Sequence, residues 1–469
     1  MKKQQLDQRH KSEVISQKPR ILVCGIGSRQ FLDNYAELLN THPLAPILIA
    51  GTEIVSRVDY TYQQLQKLGT RNIKILPITP FGDDGEMSEN DKENLDKLVK
   101  QENINGVIII TEAIAHMPYL KWAVQRGIPC LVEKPLTSYN GISHELSKAR
   151  QILKDYDYLR KEVKRSGCFI SIVSQRRWNK AFLFIKDRIE EVYDRYGVPV
   201  SLLRGMKNKG DWMGPRQLLT KENHPYKYGY GVLSHTGYHP IDILNFTISK
   251  IIAELGVNRI DVFGQMSFPK DVYFGTKHAK IFSENLKDLS TDILGECSIN
   301  GVYSYFKDDT RITLANIQIT NNGLCQKDFL KPEGHIWDRT PGTVRQESYT
   351  WTQGPFQEID FEIYQDKTGA HDSLHEYGGD NYGLITIKRN GKKNNVEKFS
   401  IKEFETGTER AADTCLKEAI LDFVDRLNGV KIIPRSDLEY HDIPIKIESG
   451  LYQSSIKNLP ISFNIGGLK

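Results

Sequence analysis

Two short apolar segments within residues 104–137, separated by a stretch with helical spacing, restrict the fold of the N-terminal part of the chain. Residues 107–110 are β-branched and continuously apolar, which is typical of a strand buried on both faces of a parallel sheet. Pro118 suits the first turn of a helix, and Gly127 suits the residue after its end. A second apolar strand follows at residues 130–132. The same alternation of strand and helix begins at residue 20 and predicts a doubly wound parallel α/β sheet.

Lys134 directly follows the second of these strands, between Glu133 and Pro135. Open α/β sheets bind their ligands at the carboxyl ends of parallel strands, so this lysine lies where a ligand is expected. Pro135 restricts the residue before it to extended geometry, which fixes the direction of the lysine. A lysine held in this way can donate a proton to a developing alkoxide or take part in a proton relay. We therefore predict a functional lysine and not a surface residue that happens to follow a strand.

A glycine turn follows the first predicted strand, residues 21–24. Gly25 and Gly27 belong to a dinucleotide-binding fingerprint whose third glycine is replaced by Gln30. The first two glycines allow a tight turn and close approach of the main chain to a pyrophosphate at a helix N-terminus. The third glycine mainly serves helix–strand packing, so its loss is compatible with binding.

The residue that would contact the cofactor ribose is expected at the end of the second strand, roughly 20 residues after the glycines. Thr52 and Glu53 lie there. Glu53 could accept a hydrogen bond from a ribose hydroxyl, which suits NAD. Arg57 or Arg29 could instead hold a 2′-phosphate, which suits NADP. The sequence leaves both cofactors open.

With 469 residues, the chain is too long for one hydrophobic core. We predict a disordered polar arm at residues 1–18, a dinucleotide-binding domain at residues 19–150 and a substrate-binding and oligomerisation domain at residues 151–469. A net charge of +4 does not indicate a nucleic-acid partner, and no apolar stretch is long enough to cross a membrane. Six scattered cysteines without a CxxC pair favour reduced thiols, and thus a cytoplasmic protein.

Four motifs resemble the glucose–fructose oxidoreductase and inositol dehydrogenase family (Gfo/Idh/MocA). They are GIG at residues 25–27, EKPLT at residues 133–137, SQRRWN at residues 174–179 and GYGVLSHTGYHPID at residues 229–242. The resemblance implies a Rossmann domain followed by an α/β domain with a large, mostly antiparallel sheet. It also implies hydride transfer between NAD(P) and a sugar or polyol, in a homodimer or homotetramer. Residues 301–306, 311–320, 359–364 and 384–389 have the β-rich composition that such a sheet needs.

The resemblance also assigns site residues by position. It implies that Lys134 and His239 handle the proton, and that Asp242 and Arg177 lie at the substrate. Arg177 fits an ion pair between domains as well as it fits a substrate clamp. The cofactor-binding residues expected from the strand ends and the resemblance together are Gly25, Gly27, Ser28, Arg29, Thr52, Glu53, Arg57, Thr111, His116, Glu133 and Lys134.

The chain departs from the family at His235, where the family usually has an aspartate four residues before the histidine. A histidine does not supply the same fixed negative charge. Either His235 takes over a proton-shuttle role, or the substrate is unusual, or the chemistry is reduced or lost. The loss of turnover would leave a regulatory protein that binds the nucleotide.

A metal site is a further alternative, because His235 and His239 have the i, i+4 spacing of zinc ligands on a helix. His224 or Asp242 could complete such a site and give a metal-dependent lyase or hydrolase. The chain has no HExxH or CxxC motif, and no metal is therefore expected.

Overall fold

The structure is a computed structural model that describes residues 18–44, 47–70, 73–81, 85–208, 226–273, 293–320, 344–366, 382–391, 395–404 and 411–466. The predicted polar arm lies outside these ranges, apart from residue 18. Within the described ranges, no helix has the length and apolar character that a membrane crossing requires. The described cysteines at positions 24, 130, 168, 297 and 415 are buried free thiols.

The first sheet is parallel and covers the N-terminal part of the chain. Its strands are β1 (Ile21–Cys24), β2 (Leu48–Ile54), β3 (Lys74–Ile78), β4 (Gly106–Ile109), β5 (Cys130–Glu133) and β6 (Ile170–Val173). Among the described residues it has six strands in the order β3-β2-β1-β4-β5-β6. This is the doubly wound order of dinucleotide-binding proteins, so the predicted fold is confirmed. The order of the strands in the sheet reverses between β1 and β4, and the binding crevice lies at the carboxyl ends of these two strands.

Helices cover both faces of this sheet and connect it to the second half of the chain. The helices are α1 (Ala36–Thr41), α2 (Val58–Lys67), α3 (Glu89–Glu102), α4 (His116–Gln125), α5 (Leu146–Ser166), α6 (Lys180–Tyr196), α7 (Tyr238–Thr247), α8 (Ser249–Leu255), α9 (Pro269–Tyr273), α10 (Ala411–Leu427) and α11 (Asp442–Lys457). Two π-helical turns, Phe31–Tyr35 and Leu233–Gly237, precede α1 and α7 directly.

The second sheet is large and mostly antiparallel, as predicted. Its strands are β7 (Leu202–Asn208), β8 (Arg259–Ser267), β9 (Ser298–Lys307), β10 (Thr310–Thr320), β11 (Val344–Gln353), β12 (Gln357–Asp366), β13 (Tyr382–Arg389), β14 (Val396–Ser400) and β15 (Ile461–Asn464). Nine strands of the described chain follow the order β14-β13-β12-β11-β7-β10-β9-β8-β15, and only β7 and β10 among them pair in parallel. Ile299, Tyr303 and Tyr305 of β9 alternate into the core, as the period of a strand requires.

The two halves of the chain are interleaved. Strand β6 pairs with β5 through Cys130 and Ile170, so the first sheet extends beyond the predicted boundary at residue 150. Helix α10 returns to the first sheet, where Phe423 joins its core and Leu427 packs against Gly106. A side chain at Gly106 would overlap Leu427, so this close approach depends on the glycine.

Candidate active site

The glycine turn after β1 is shaped by close contacts that exclude side chains. Gly25 has a φ of +83°, and a Cβ atom there would lie 2.9 Å from the carbonyl oxygen of Ile110. A Cβ atom at Gly27 would overlap the Thr61 hydroxyl and the Glu53 carboxylate. The turn is also tied to β2, because the Gly25 amide donates to the Thr52 carbonyl over 3.0 Å. Both glycines are therefore required by the turn itself.

Of the two ribose-contact candidates, the structure brings only Glu53 to the turn with its side chain. Its Oε2 accepts a hydrogen bond from the Gly27 amide at 2.8 Å. Thr52 is fully buried, and its hydroxyl lies 3.0 Å from the hydroxyl of Tyr119. The Thr52 side chain therefore points into the core. Its main chain instead supports the turn.

The two candidate arginines differ in their positions. Arg57 donates to the Gly27 carbonyl over 3.2 Å, so its guanidinium lies at the turn. Arg29 is exposed and forms an i, i+4 ion pair with Asp33 at 3.1 Å. Among the described residues, Arg29 contacts Asp33 and not the glycines, and its role towards a cofactor stays a prediction. Ser28 caps the helix that follows, since its hydroxyl accepts from the Phe31 amide at 3.2 Å.

The residues around the turn fit a dinucleotide. The buried hydroxyls of Thr61 and Thr111 have no hydrogen-bond partner among the described residues. The Thr61 hydroxyl lies against Gly27, and the Thr111 methyl lies against Gly25. Buried hydroxyls without a protein partner are uncommon and indicate a group supplied from outside the chain. The turn would hold the pyrophosphate, Thr111 would lie beside it, and Glu53 would accept from the adenosine ribose.

Glu133 is held at the end of β5 by the helix that follows the glycine turn. Its Oε1 accepts a hydrogen bond from the side-chain amide of Gln30 at 2.7 Å and another from the Tyr35 hydroxyl at 2.6 Å. Burial raises the pKa of Glu133, and these two donors act against that rise. The residue that replaces the third glycine of the fingerprint thus anchors Glu133.

His116 lies beneath the crevice and not at its surface. Its two ring nitrogens lie 2.9 Å from the Pro135 carbonyl oxygen and 3.0 Å from the Thr111 carbonyl oxygen. Burial lowers the pKa of His116 to about 4, so the ring is neutral at pH 7 and donates to only one of these carbonyls. The predicted direct contact with the cofactor is therefore replaced by a supporting role: His116 connects the loop after β4 with the loop after β5.

Lys134 connects the two halves of the molecule. Its Nζ donates to the main-chain carbonyl of His235 over 2.6 Å. His235 lies in the π-helical turn Leu233–Gly237, where the amide of Tyr238 bonds to the carbonyl of Leu233, five residues earlier. Such turns shift the carbonyls out of the usual helical register and are frequent at functional sites. The ammonium group is thus directed towards the start of α7, which carries His239.

The imidazole of His235 packs between two tyrosines. Its ring centre lies 5.1 Å from that of Tyr226 and 4.9 Å from that of Tyr230, and both contacts are edge-to-face. His239 follows one turn later in α7 and is also buried. The structure therefore brings three predicted residues, Lys134, His235 and His239, to one region between the two sheets.

Sequence reasoning missed Glu112, a carboxylate in the same region. The Tyr230 hydroxyl donates to Glu112 Oε2 over 3.3 Å and so joins the loop after β4 to the segment before α7. Burial raises the pKa of Glu112 to about 7, while Tyr230, Arg57 and Lys134 act in the opposite direction. A carboxyl group that titrates near neutral pH in a cleft is a candidate for proton exchange. Its position next to Thr111, in the loop that follows β4, was the signal that could have identified it.

Arg177 and Asp242 form a buried ion pair, and the predicted substrate contact is corrected. The Arg177 Nε donates to Asp242 Oδ2 over 3.0 Å, and its Nη1 donates to the Arg435 carbonyl over 2.8 Å. Arg177 is 2% exposed and Asp242 is fully buried. Burial would raise the pKa of Asp242, but Arg177 and His441 hold it well below its usual range. Of the two alternatives for Arg177, the structure favours the ion pair between segments.

The metal alternative finds no support in the described residues. They contain no group of three His, Cys, Asp or Glu side chains arranged to hold a metal ion. Asp242, one proposed third ligand, is already paired with Arg177. His224, the other, lies outside the described ranges.

An open parallel sheet with a glycine turn and a crevice lined by Glu53, Thr111 and Lys134 defines a dinucleotide-binding protein. Residues 20–155 match the family model GFO_IDH_MocA, described as an oxidoreductase family with an NAD-binding Rossmann fold. This match over residues 20–155 confirms the resemblance to the Gfo/Idh/MocA oxidoreductases seen in the sequence. No curated protein matches the chain at a significant level.

Solved structures share the fold over nearly the whole chain. An oxidoreductase from Agrobacterium radiobacter, in complex with NAD+, L-tartaric acid and magnesium, is 10% identical with a TM-score of 0.58, covering 95% of this chain and 98% of that one. An aldose-aldose oxidoreductase from Caulobacter crescentus, complexed with glycerol, is 13% identical with a TM-score of 0.56, covering 95% and 100%. A super-repressor mutant of Gal80p from Saccharomyces cerevisiae is 12% identical with a TM-score of 0.59, covering 94% and 97%. At these identities the likeness concerns the fold alone.

Proposed function

We propose that the protein is an NAD-dependent dehydrogenase or reductase, working in the cytoplasm, that exchanges a hydride with a carbinol or carbonyl carbon of a sugar or polyol. The observation that carries the proposal is the position of Lys134, which lies at the end of β5 and donates to the start of the segment that bears His239. The bound nicotinamide supplies the hydride acceptor or donor. Solved structures of the same fold include one with NAD+ and one described as an aldose-aldose oxidoreductase.

The side chains at the glycine turn favour NAD over NADP. Glu53 places a carboxylate next to the Gly27 amide, where the adenosine ribose is expected. A carboxylate accepts hydrogen bonds from the ribose hydroxyls but repels a 2′-phosphate. Arg57 contacts the Gly27 carbonyl and also acts electrostatically on Glu112, so part of its charge is balanced within the crevice.

The residues of this chain handle the proton that accompanies hydride transfer. Lys134 would donate to the developing alkoxide, or accept the hydroxyl proton in the reverse direction, and His239 would serve as its partner in the exchange. His235 directs its carbonyl at Lys134 and packs its ring against Tyr230, the tyrosine that bonds to Glu112. Glu112 thus places a carboxyl group near Lys134 from the Rossmann domain.

The proposal is tested by following the absorbance of reduced nicotinamide across a panel of sugars, polyols and their oxidised forms. Reduction of NAD, or oxidation of NADH, with at least one member is the expected result. Calorimetric binding of NAD without turnover on the whole panel would favour the alternative of a nucleotide-binding regulatory protein. The absence of binding of either nucleotide would refute the assignment of the crevice.

Glu53→Gln is expected to weaken NAD binding by roughly 10–100-fold, because a hydrogen bond to a charged group is lost to the ribose. NADP binding should change less, since the repulsion of its 2′-phosphate is relieved at the same time. Isothermal titration calorimetry with both nucleotides measures the two effects. Glu37→Gln, an exposed carboxylate on α1, is the matched control. Equal affinity of parent and Glu53→Gln for NAD would contradict the assignment.

We also propose that two or four copies associate through the open face of the second sheet. Met206, Phe263, Val302 and Leu314 lie on this face and are half-buried or exposed in the single chain. A partner copy that covered this face would remove these apolar side chains from water. Light scattering of the parent should give a dimer or tetramer, and Val302→Glu should shift it towards the monomer. A parent that is monomeric at micromolar concentration contradicts the proposal.

A further inference from the structure

A buried carboxylate, Glu296, lies immediately beneath the π-helical turn that faces Lys134. Its Oε1 accepts from the Leu233 amide at 2.8 Å and from the Tyr452 hydroxyl at 3.3 Å, and its Oε2 accepts from the Ser143 hydroxyl. Ser143 lies three residues before the start of α5 at Leu146. Three donors converge on one carboxyl group, and hydrogen bonds to a carboxylate favour its ionised form. Burial raises the pKa of Glu296, and these donors act against that rise.

A second buried carboxyl, Glu448 of α11, is joined to the first by hydroxyl groups. The Ser234 Oγ lies 3.2 Å from Glu448 Oε1 and 2.8 Å from the Tyr452 Oη. Glu296 is fully buried and Glu448 is 1% exposed. Two carboxylates without solvent, coupled through two hydroxyls, repel each other when both are ionised.

The number of protons on the hydroxyls shows that one of the two carboxyls is neutral. Each hydroxyl has a single proton to donate. Tyr452 directs its proton to Glu296, so its oxygen can only accept from Ser234. If Ser234 donates its proton to Tyr452, the contact between Ser234 and Glu448 is a hydrogen bond only if Glu448 donates. The chain Glu448–Ser234–Tyr452–Glu296 is then complete, with every contact a hydrogen bond.

We propose that Glu296 and Glu448 hold one proton between them, carried by Glu448, and that this pair sets the charge that Lys134 faces from below. The pair would make Glu448 and Ser234 positioning residues for the proton exchange at Lys134. The role of the pair at Lys134 rests on the proposed function, whereas the shared proton does not. Loss of the proton to solvent at alkaline pH leaves two carboxylates, and the added negative charge stabilises the ammonium form of Lys134.

The surroundings of Glu448 agree with this charge state. Burial, followed by the charge of Glu296, raises the pKa of Glu448 to about 8, and the charge of Lys134 acts in the opposite direction. The titratable groups that face the pair from the elements packed around it are Lys134 after β5, His235 in the π-helical turn, Tyr238 of α7 and Tyr452 of α11. Burial also raises the pKa values of Tyr238 and Tyr452, so both remain neutral near pH 8.

The shared proton has a consequence for stability. The pKa of Glu448 is about 8 in the folded chain and has an ordinary value of 4.5, so the folded state holds a proton that the unfolded state releases between these values. Stability contributed by this group is therefore highest at low pH and is lost as the pH rises through this window. Glu448→Gln, which cannot ionise, should remove this part of the pH dependence.

Two measurements test the pair without any substrate. Glu112 is also protonated at pH 6, so the test is the infrared difference between the parent and Glu448→Gln at this pH. This difference should contain the carbonyl stretch of a buried protonated acid that the variant has lost. The melting temperature of Glu448→Gln should fall less than that of the parent between pH 5 and pH 8.5. Glu439→Gln, an exposed carboxylate just before α11, is the matched control and should behave as the parent does in both.

A second variant tests the proposal if the Glu448→Gln protein does not fold. Ser234→Ala removes the partner of the acid and keeps both carboxyls, so it should shift the carbonyl band and not abolish it. Identical carbonyl bands in the parent and in Glu448→Gln, or a band that Ser234→Ala leaves unchanged, overturn the proposal, as does an unaltered pH dependence of melting. If the band behaves as expected but no substrate is turned over, the shared proton stands and the proposed function fails. With turnover present, Glu448→Gln should also lose a transition near pH 8 in the pH profile of kcat.

Discussion

Lys134→Ala is expected to lower turnover by roughly 10²–10⁴-fold, the usual loss when a positioned acid–base group is removed. The ammonium group is fixed by its 2.6 Å hydrogen bond to the His235 carbonyl, so a mobile group of the solvent cannot replace it in the same geometry. NAD affinity should stay nearly unchanged, because the pyrophosphate and ribose contacts lie at the glycine turn and Glu53. Steady-state kinetics and calorimetry on the same preparation separate the two effects.

Lys161→Ala serves as its control, since this lysine is exposed on α5 and away from the crevice. It should match the parent in kcat and in NAD affinity. A Lys134→Ala protein that keeps parental turnover would remove Lys134 from the proton exchange. Loss of NAD binding in the same variant would instead mean that the lysine holds the cofactor.

Arg177→Met is expected to lower the free energy of unfolding by about 3–5 kcal/mol, the usual cost of leaving one partner of a buried ion pair without the other. The guanidinium binds Asp242 on α7 and the carbonyls of Arg435 and Tyr440 before α11, so three segments lose a common contact. Asp242 would keep His441, whose Nδ1 lies 3.3 Å away, and this contact limits the loss. Urea denaturation monitored by circular dichroism measures the change.

The double variant Arg177→Met/Asp242→Leu separates a structural pair from a substrate site. Replacing both charges with apolar groups should be less destabilising than Arg177→Met alone, because no unpaired charge remains buried. Arg188→Met, which breaks an exposed pair with Glu191 on α6, should change stability by less than about 1 kcal/mol. A stable Arg177→Met protein that has lost only substrate affinity would restore the original prediction of a substrate clamp.

The sequence predicted the parallel sheet well because buried parallel strands leave a local signal. Residues 107–110 and 130–132 are apolar on both faces, and strands β4 and β5 form there. The glycine turn was also predictable, because the positive φ of Gly25 and the crowding at Gly27 leave no room for another residue type.

The polar network of the site was not predictable, because its contacts join residues that are far apart in the chain. Glu448 meets Ser234 across 214 positions, and Ser143 meets Glu296 across 153. Neither glutamate belongs to a motif, and no helical or strand periodicity marks it. The side-chain directions of Thr52 and Asp242 were not predictable for a related reason, since the sequence placed both at the correct strand or helix but did not give where the side chains point.

The central claim is that the protein transfers a hydride to NAD, and deuterium transfer tests it most directly. The protein is incubated with NAD and polyols deuterated at their carbinol carbons, and the recovered nicotinamide is analysed by mass spectrometry. The account predicts reduced nicotinamide that carries one deuterium, and much less of it with Lys134→Ala. Reduced nicotinamide without deuterium, or none at all while calorimetry shows NAD bound, would contradict hydride transfer and leave a protein that binds the nucleotide without turning it over.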